Sequence, residues 1–144
     1  DFGKASPVDL DQVDAKLTAD SQHCYRAILV AQTDTASSVR NDIAALGALI
    51  KSTGHPALLM VDCMASLACD VFEMDAWGVD VMMAGSQKGL MTPPGVAFLY
   101  LNERGMEARK RADLETPYCD VRPRVKPDAF YEFFFVIFGC VNLN

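Results

Sequence analysis

The chain has 144 residues, which is about one domain, and 51% of them are hydrophobic, enough to build a core. Its 19 acidic and 13 basic residues give a net charge of -6, which argues against nucleic acid or an anionic membrane as a main partner. Five cysteines without paired CxxC spacing indicate reduced thiols in a cytoplasmic location, not a disulfide framework or a zinc site. No signal-peptide pattern follows Asp1, so we do not expect secretion.

Short apolar runs alternate with amphipathic segments along the chain. The run at 27–31 is continuously apolar, which is typical of a strand covered on both faces. In chain order, the patterns predict a helix at 8–19, a strand at 27–31, a helix at 39–53, strands at 57–61, 79–84 and 96–101, and a helix at 102–113. This order predicts an α/β fold with a mainly parallel sheet flanked by helices.

Polar side chains follow three consecutive predicted strands. Residues 33–38 carry hydroxyls after the first strand, Asp62 ends the second, and residues 86–88 follow the third. In parallel α/β sheets, ligands bind beyond the carboxyl ends of the strands. We therefore expect hydroxyls, a carboxylate and an amine at one edge of the sheet.

The amine of Lys88 and the carboxylate of Asp62, 26 positions earlier, suit one cofactor, pyridoxal 5'-phosphate. This cofactor needs an amine that forms an imine with its aldehyde. It also needs a carboxylate that keeps its ring nitrogen protonated, so that the ring draws electrons from a substrate carbon. Taken singly, a lysine in a turn and an aspartate at a strand end are more often structural.

Three segments, 61–67, 72–80 and 85–95, resemble the class V aminotransferases, and most of all their alanine/serine–glyoxylate aminotransferase branch. The resemblance implies a pyridoxal-phosphate enzyme of fold type I, usually a homodimer whose sites are built from both subunits. It also implies an activity, transfer of an amino group from alanine or serine to glyoxylate or a similar 2-oxo acid. Amino acids and 2-oxo acids are therefore the expected small-molecule partners.

The resemblance also implies roles for individual residues. Lys88 matches the Schiff-base lysine of the family, and Asp62 matches the carboxylate that pairs with the ring nitrogen of the cofactor. Thr35 matches a hydroxyl near the phenolic oxygen, and Gln87 a residue that contacts the phosphate. Met64 is expected against one face of the ring, although a methionine just beyond a buried strand also suits the core. Lys88 and Asp62 are the expected catalytic residues.

The sequence departs from the family pattern in two places. Residues 34–38 begin with Asp34 where the family usually has Glu, which leaves the hydroxyl donor open. Beyond Phe135 the sequence no longer follows the family. We expect residues 1–115 to form part of a cofactor-binding large domain, and 116–144 to be a connector toward a C-terminal small domain that this chain does not include.

Two other functions remain open at this point. The chain is either part of a working aminotransferase, or a catalytically inactive remnant or interaction module of the same fold. A related lyase or cysteine desulfurase is the third possibility, because a desulfurase of this fold uses a mobile-loop cysteine; Cys63 and Cys69 are the candidates, although neither is expected in such a loop. His23 and His55 are expected in solvent-facing loops, with no role in metal binding.

Overall fold

The computed structural model describes residues 5–114, residues 120 and 121, and the backbone of residues 136–139. The helices are α1 (Leu10–Ala19), α2 (Ile43–Thr53) and α3 (Glu103–Lys110). The strands are β1 (Ala27–Ala31), β2 (Thr33–Asp34), β3 (Val39–Arg40), β4 (Leu58–Asp62), β5 (Val81–Gly85), β6 (Ala97–Leu101) and β7 (Val136–Gly139). In this part of the chain, every helix is too short or too polar to cross a membrane.

The main sheet has five strands in the order β1-β4-β5-β6-β7. Strand β4 runs parallel to β1 and to β5, and this confirms the predicted α/β fold with a mainly parallel sheet. Strand β6 runs antiparallel to β5, because the short connection between them holds no crossover helix. The backbone of β7 joins the edge of the sheet, parallel to β6.

The predicted helix at 39–53 begins only at Ile43. Asp42 has an extended backbone, and its carboxylate accepts a hydrogen bond of 2.9 Å from the Ala45 N–H, which caps the helix at this residue. Val39 and Arg40 pair instead with β2 in a two-stranded sheet. The helix ends at Gly54, whose φ of 66° belongs to the left-handed region that glycine adopts without strain.

The core lies between one face of the sheet and the two helices α1 and α2. The helices contribute Leu17, Ile43, Leu46 and Ile50, and the strands contribute Leu59, Val61, Met82 and Ala84. Each buried Leu or Ile stabilises the fold by about 1.5–3 kcal/mol. Gly47 allows α2 to approach the chain closely, because a Cβ atom here would collide with the carbonyl of Trp77.

The amino end of β5 is held by a buried carboxylate, that of Asp80. One oxygen accepts a hydrogen bond of 2.9 Å from the Leu59 N–H and lies 3.3 Å from the Arg104 guanidinium. The other oxygen accepts a hydrogen bond of 2.8 Å from the side-chain amide of Asn102, the residue that caps α3. This buried charge is therefore fully partnered, and it joins β4, β5 and α3 at the edge opposite Asp62.

The expectation that His55 faces solvent is wrong, whereas His23 is exposed. His55 is 6% exposed, and its Nδ1 accepts from the Ala57 N–H at 3.1 Å. Its Nε2 therefore carries the proton and donates to Asp20 at 3.2 Å. This pair links the end of α1 to the turn before β4, and only the folding of distant segments reveals it.

We expect Gly47→Ala to lower the free energy of unfolding by about 2 kcal/mol, because the new methyl group meets a backbone carbonyl that cannot rotate away. Urea denaturation measures the change. The control is Ala48→Gly, one residue along at an exposed position, where only helix propensity of about 1 kcal/mol is lost. If Gly47→Ala lowers the free energy of unfolding no more than the control does, the close approach of α2 to the Trp77 carbonyl is contradicted.

A second prediction concerns the contribution of Asp20 to stability at low pH. Hydrogen bonds from the backbone N–H groups of Tyr25 and Cys24, followed by His55, lower the pKa of Asp20 below its ordinary value near 4. Its stabilising contribution is complete above that value and is lost as pH falls through the lowered pKa. The stability difference between wild type and Asp20→Asn should therefore shrink as pH falls below about 4.

Urea melts from pH 7 to pH 2.5 measure this difference. Asp14→Asn, at an exposed position of α1, removes the same charge and is the control. A wild-type advantage over Asp20→Asn that stays constant down to the lowest pH would contradict the assignment.

Candidate active site

The carboxyl ends of β1, β4 and β5 lie side by side. Asp62 is the last residue of β4, and its Cα faces Ala31 on one side and Met83 on the other. The Gln32 N–H donates to the Asp62 carbonyl at 2.9 Å, and the Cys63 N–H donates to the Met83 carbonyl at 2.8 Å. The three chain segments that follow these strands therefore start from one edge of the sheet, as the sequence predicts.

The Asp62 carboxylate is exposed at this edge. One of its oxygens accepts a hydrogen bond of 2.7 Å from the Met64 N–H, which orients the side chain. No group of residues 5–114 donates to the other oxygen, which can accept a hydrogen bond from a ligand. Within the described residues, neither Asp62 nor Lys88 has an ion-pair partner.

Gly85, the last residue of β5, brings Met64 and Gln87 together. A Cβ atom at this glycine would lie 2.5 Å from the Met64 Sδ and 2.8 Å from the Gln87 Oε1. Both side chains thus lie over the space that a larger residue would occupy. Because Met64 also contacts Asp62, a continuous set of contacts runs from the end of β4 to the chain segment that carries Lys88.

The Lys88 segment is a tight loop built around a buried serine. The Ser86 hydroxyl donates to the Pro93 carbonyl at 2.7 Å, and the Ser86 carbonyl accepts from the Thr92 hydroxyl at 2.9 Å. A turn closes with the Met91 N–H donating to the Lys88 carbonyl at 2.9 Å. The lysine side chain itself is exposed.

Gly89 fixes this loop against the segment that follows Asp62. A Cβ atom at Gly89 would lie 2.6 Å from the Cys69 Sγ and would meet the Leu67 carbonyl. The residue directly after Lys88 therefore packs on the loop that follows β4. The backbones that carry the amine and the carboxylate are held together by contacts at two glycines.

Thr35 lies in the turn between β2 and β3, where it is exposed. Asp34 organises this turn, with its carboxylate accepting from the Ser37 hydroxyl at 2.5 Å and from the Ala36 N–H at 3.1 Å. These bonds, that of Ser37 first, lower the pKa of Asp34. In the described residues, no contact joins Thr35 to Asp62 or Lys88, so its role stays a prediction.

A buried glutamine was missed by the sequence analysis. Gln32 follows β1 directly and is 1% exposed. Its side chain bonds to Ser66 and Val71, both in the segment that follows Asp62. One sequence feature does mark Gln32: like Asp62, it is a polar residue at the end of a predicted strand. Sequence alone does not show that its side chain points inward.

Neither Cys63 nor Cys69 is placed as a nucleophile in this structure. Cys63 is buried, and burial raises the pKa of its thiol to about 12, which leaves too little thiolate for chemistry near neutral pH. Cys69 is exposed, but it packs against Gly89 in a closed turn. The geometry therefore gives no support to the desulfurase alternative.

Comparison with known proteins agrees with this geometry. Residues 4–115 match the family model for Aminotransferase class-V. The chain is 42% identical over 115 residues to the L-aspartate–glyoxylate aminotransferase of Paracoccus denitrificans, covering 80% of the chain and 29% of that protein. It is 39% identical over 110 residues to the serine–glyoxylate aminotransferase of Arabidopsis thaliana, covering 76% of the chain and 27% of that protein.

A solved structure shares the fold. The alanine–glyoxylate aminotransferase of Nostoc sp. aligns with a TM-score of 0.75 at 23% identity, over 89% of this chain and 34% of that one. The chain thus spans less than a third of the length of the two curated relatives. The family model covers most of the chain and includes β1, β4, β5 and the loop with Lys88. The chain belongs to the class V aminotransferase family.

Proposed function

We propose that the carboxyl edge of β1, β4 and β5 is part of the pyridoxal 5'-phosphate site of an aminotransferase. The observation that carries the proposal is the contact of Gly85 with Met64, because it holds the segment of Lys88 next to the end of β4. An exposed carboxylate and an exposed amine, neither of them ion-paired within residues 5–114, then belong to one surface.

The residues of this surface fit the cofactor chemically. It presents a basic ring nitrogen, an aldehyde, a phenolic oxygen and a phosphate, which need a carboxylate, an amine and neutral hydrogen-bonding groups. Asp62, Lys88, Gln87 and Thr35 supply these types. When bound, the cofactor draws electrons from the substrate carbon, and this is the difficult part of the chemistry.

Asp62 would hold a proton on the ring nitrogen. A carboxylate next to a nitrogen base stabilises the protonated form, by charge and by hydrogen bonding. The Met64 N–H occupies one oxygen and thereby orients the other. Removing this carboxylate should cost several powers of ten in rate, because the ring then loses the charge that makes it an electron acceptor.

Lys88 would take the role of the Schiff-base lysine and would carry the proton at the substrate carbon. An amine on a flexible chain of four carbons reaches both positions from one fixed backbone, and the turn of Lys88 to Met91 fixes that backbone. Met64 would cover one face of the ring, Gln87 would donate its amide to the phosphate, and Thr35 would donate its hydroxyl to the phenolic oxygen.

The substrates proposed are an amino acid, alanine or serine, as donor and glyoxylate or a similar 2-oxo acid as acceptor. Glyoxylate is the acceptor common to the three relatives named above, while their amino acids differ. Residues 1–115 would supply part of a large cofactor-binding domain, and 116–144 would lead from it toward a small domain. A cytoplasmic homodimer is the proposed form of the whole protein.

Reductive trapping tests the role of Lys88. The chain is incubated with pyridoxal 5'-phosphate, reduced with borohydride, digested, and the modified peptide is identified by mass spectrometry. We expect label on Lys88, a visible absorption band before reduction, and loss of both in Lys88→Ala. Lys51→Ala, at an exposed position in α2, is the control and should leave label and band unchanged.

Label spread evenly over the lysines, with no loss of the band in Lys88→Ala, would overturn the assignment. That outcome would instead favour an inactive remnant of the fold that serves as an interaction module.

The second test uses Gly85→Ala. The new methyl group would meet the Met64 Sδ, which is near the flexible end of its side chain, so the fold should survive while Met64 moves. Because displacement of about 1 Å is costly at a site, affinity for the cofactor should fall about tenfold, measured by absorbance titration. The double variant Gly85→Ala/Met64→Ala removes the closer of the two clashes, that with Met64, and should bind better than Gly85→Ala alone. Equal affinity of Gly85→Ala and wild type would contradict this role of the contact.

A further inference from the structure

Gln32 makes four hydrogen bonds at the end of β1, although its side chain is almost completely buried. Its Nε2 donates to the Val71 carbonyl at 2.8 Å, and its Oε1 accepts from the Ser66 hydroxyl at 2.6 Å. Its backbone N–H donates to the Asp62 carbonyl at 2.9 Å, and its carbonyl accepts from the Asn41 N–H at 2.8 Å.

These bonds converge on the segment that follows Asp62. Ser66 lies in the turn that starts at Cys63, where the Ser66 N–H donates to the Cys63 carbonyl at 3.1 Å. Val71 lies at the far end of the same segment. The side chain of Gln32 therefore holds the segment at two points, while its backbone holds the carbonyl of Asp62 itself.

We propose that Gln32 is a positioning residue for Asp62: by fixing residues 63–71, its side chain keeps the Met64 N–H on the Asp62 carboxylate and so aims the free oxygen of that carboxylate. The importance of this carboxylate orientation rests on the function proposed above. Gln32 touches no reacting atom and acts only through Asp62.

Glutamine is well suited to this position. Its planar amide offers one acceptor to a hydroxyl and one donor to a carbonyl, in fixed directions. Glutamate has the same shape, but its second oxygen would face the Val71 carbonyl, acceptor against acceptor. Leucine has a similar volume, but it would leave the Ser66 hydroxyl and the Val71 carbonyl buried without partners.

Hydrogen–deuterium exchange on the cofactor-free chain measures the positioning directly. In Gln32→Leu and Gln32→Glu, the Met64 amide should exchange about tenfold faster than in wild type, because its bond to Asp62 opens more often. The amides of Val61 and Met82 in the core should keep their protection. Gln12→Glu is the control, because it also replaces a side-chain amide that donates a hydrogen bond, here to Asp9 at 2.7 Å.

An unchanged Met64 amide in both Gln32 variants would overturn the proposal. So would equal acceleration at Met64, Val61 and Met82, since this would show that Gln32 only supports global stability. Acidification gives a rescue within one variant. Protonation of the carboxylate introduced by Gln32→Glu restores a donor to the Val71 carbonyl. The ratio of the Met64 exchange rate in this variant to the rate in wild type at the same pH should therefore fall toward one as the pH is lowered.

Cofactor titration completes the test. Affinity for pyridoxal 5'-phosphate should fall about tenfold in Gln32→Leu, and this loss should vanish when both proteins also carry Asp62→Asn, since coupled residues are not additive. A loss of the same size in the Asp62→Asn background would overturn the action through Asp62. If wild type itself binds no cofactor, the proposed function fails, and exchange at Met64 still decides whether Gln32 positions Asp62.

Discussion

Parallel pairing of β4 with β1 on one side and with β5 on the other brings the carboxyl ends of three strands to one edge of the sheet. Everything proposed for this chain depends on that register. A shift by one residue would turn Asp62 into the core and bring Val61 to the surface, because alternate residues of a strand point to opposite faces. The buried row of Leu59, Val61 and Met82 opposes such a shift, since it would expose these side chains.

The two edges of the sheet are built differently. At the amino edge, charged and polar side chains are buried and satisfied, as in the bonds of Asp80 to Leu59, Asn102 and Arg104. At the carboxyl edge, Asp62 and Lys88 are exposed, and within residues 5–114 each keeps polar groups without a partner. A closed network stabilises the fold, whereas an open one is able to bind a ligand. The polar groups at the amino edge therefore stabilise the fold, whereas those at the carboxyl edge are exposed to a ligand.

Buried polar side chains support the exposed ones at the carboxyl edge. Gln32 and Ser66 hold the loop after β4, and Ser86 holds the loop after β5, each by hydrogen bonds in a dry environment where an unpaired group would be costly. Contacts at Gly85 and Gly89 then join the two loops. The buried residues thus stabilise the two loops, and the exposed residues are accessible to a ligand.

Much of the fold was accessible from the sequence, and less of the site. Apolar runs located β1, β4, β5 and β6, and the predicted end of α2 at 53 matches the structure, although its predicted start at 39 lies four residues before the observed one. The order of strands along the chain predicted that polar groups would share one edge. It did not predict that β6 reverses direction, since this depends on the length and path of one loop.

By itself, the sequence determined local features of this protein, namely β1, β4, β5 and β6 and the residue types at their ends, because these follow from neighbours a few positions apart. The family resemblance added the candidate roles of Lys88 and Asp62. Only the tertiary structure decided that Gln32 and His55 are buried and that Met64 lies over Gly85. These arrangements join segments far apart in the chain, and which segments meet is decided by the packing of the whole sheet and its helices.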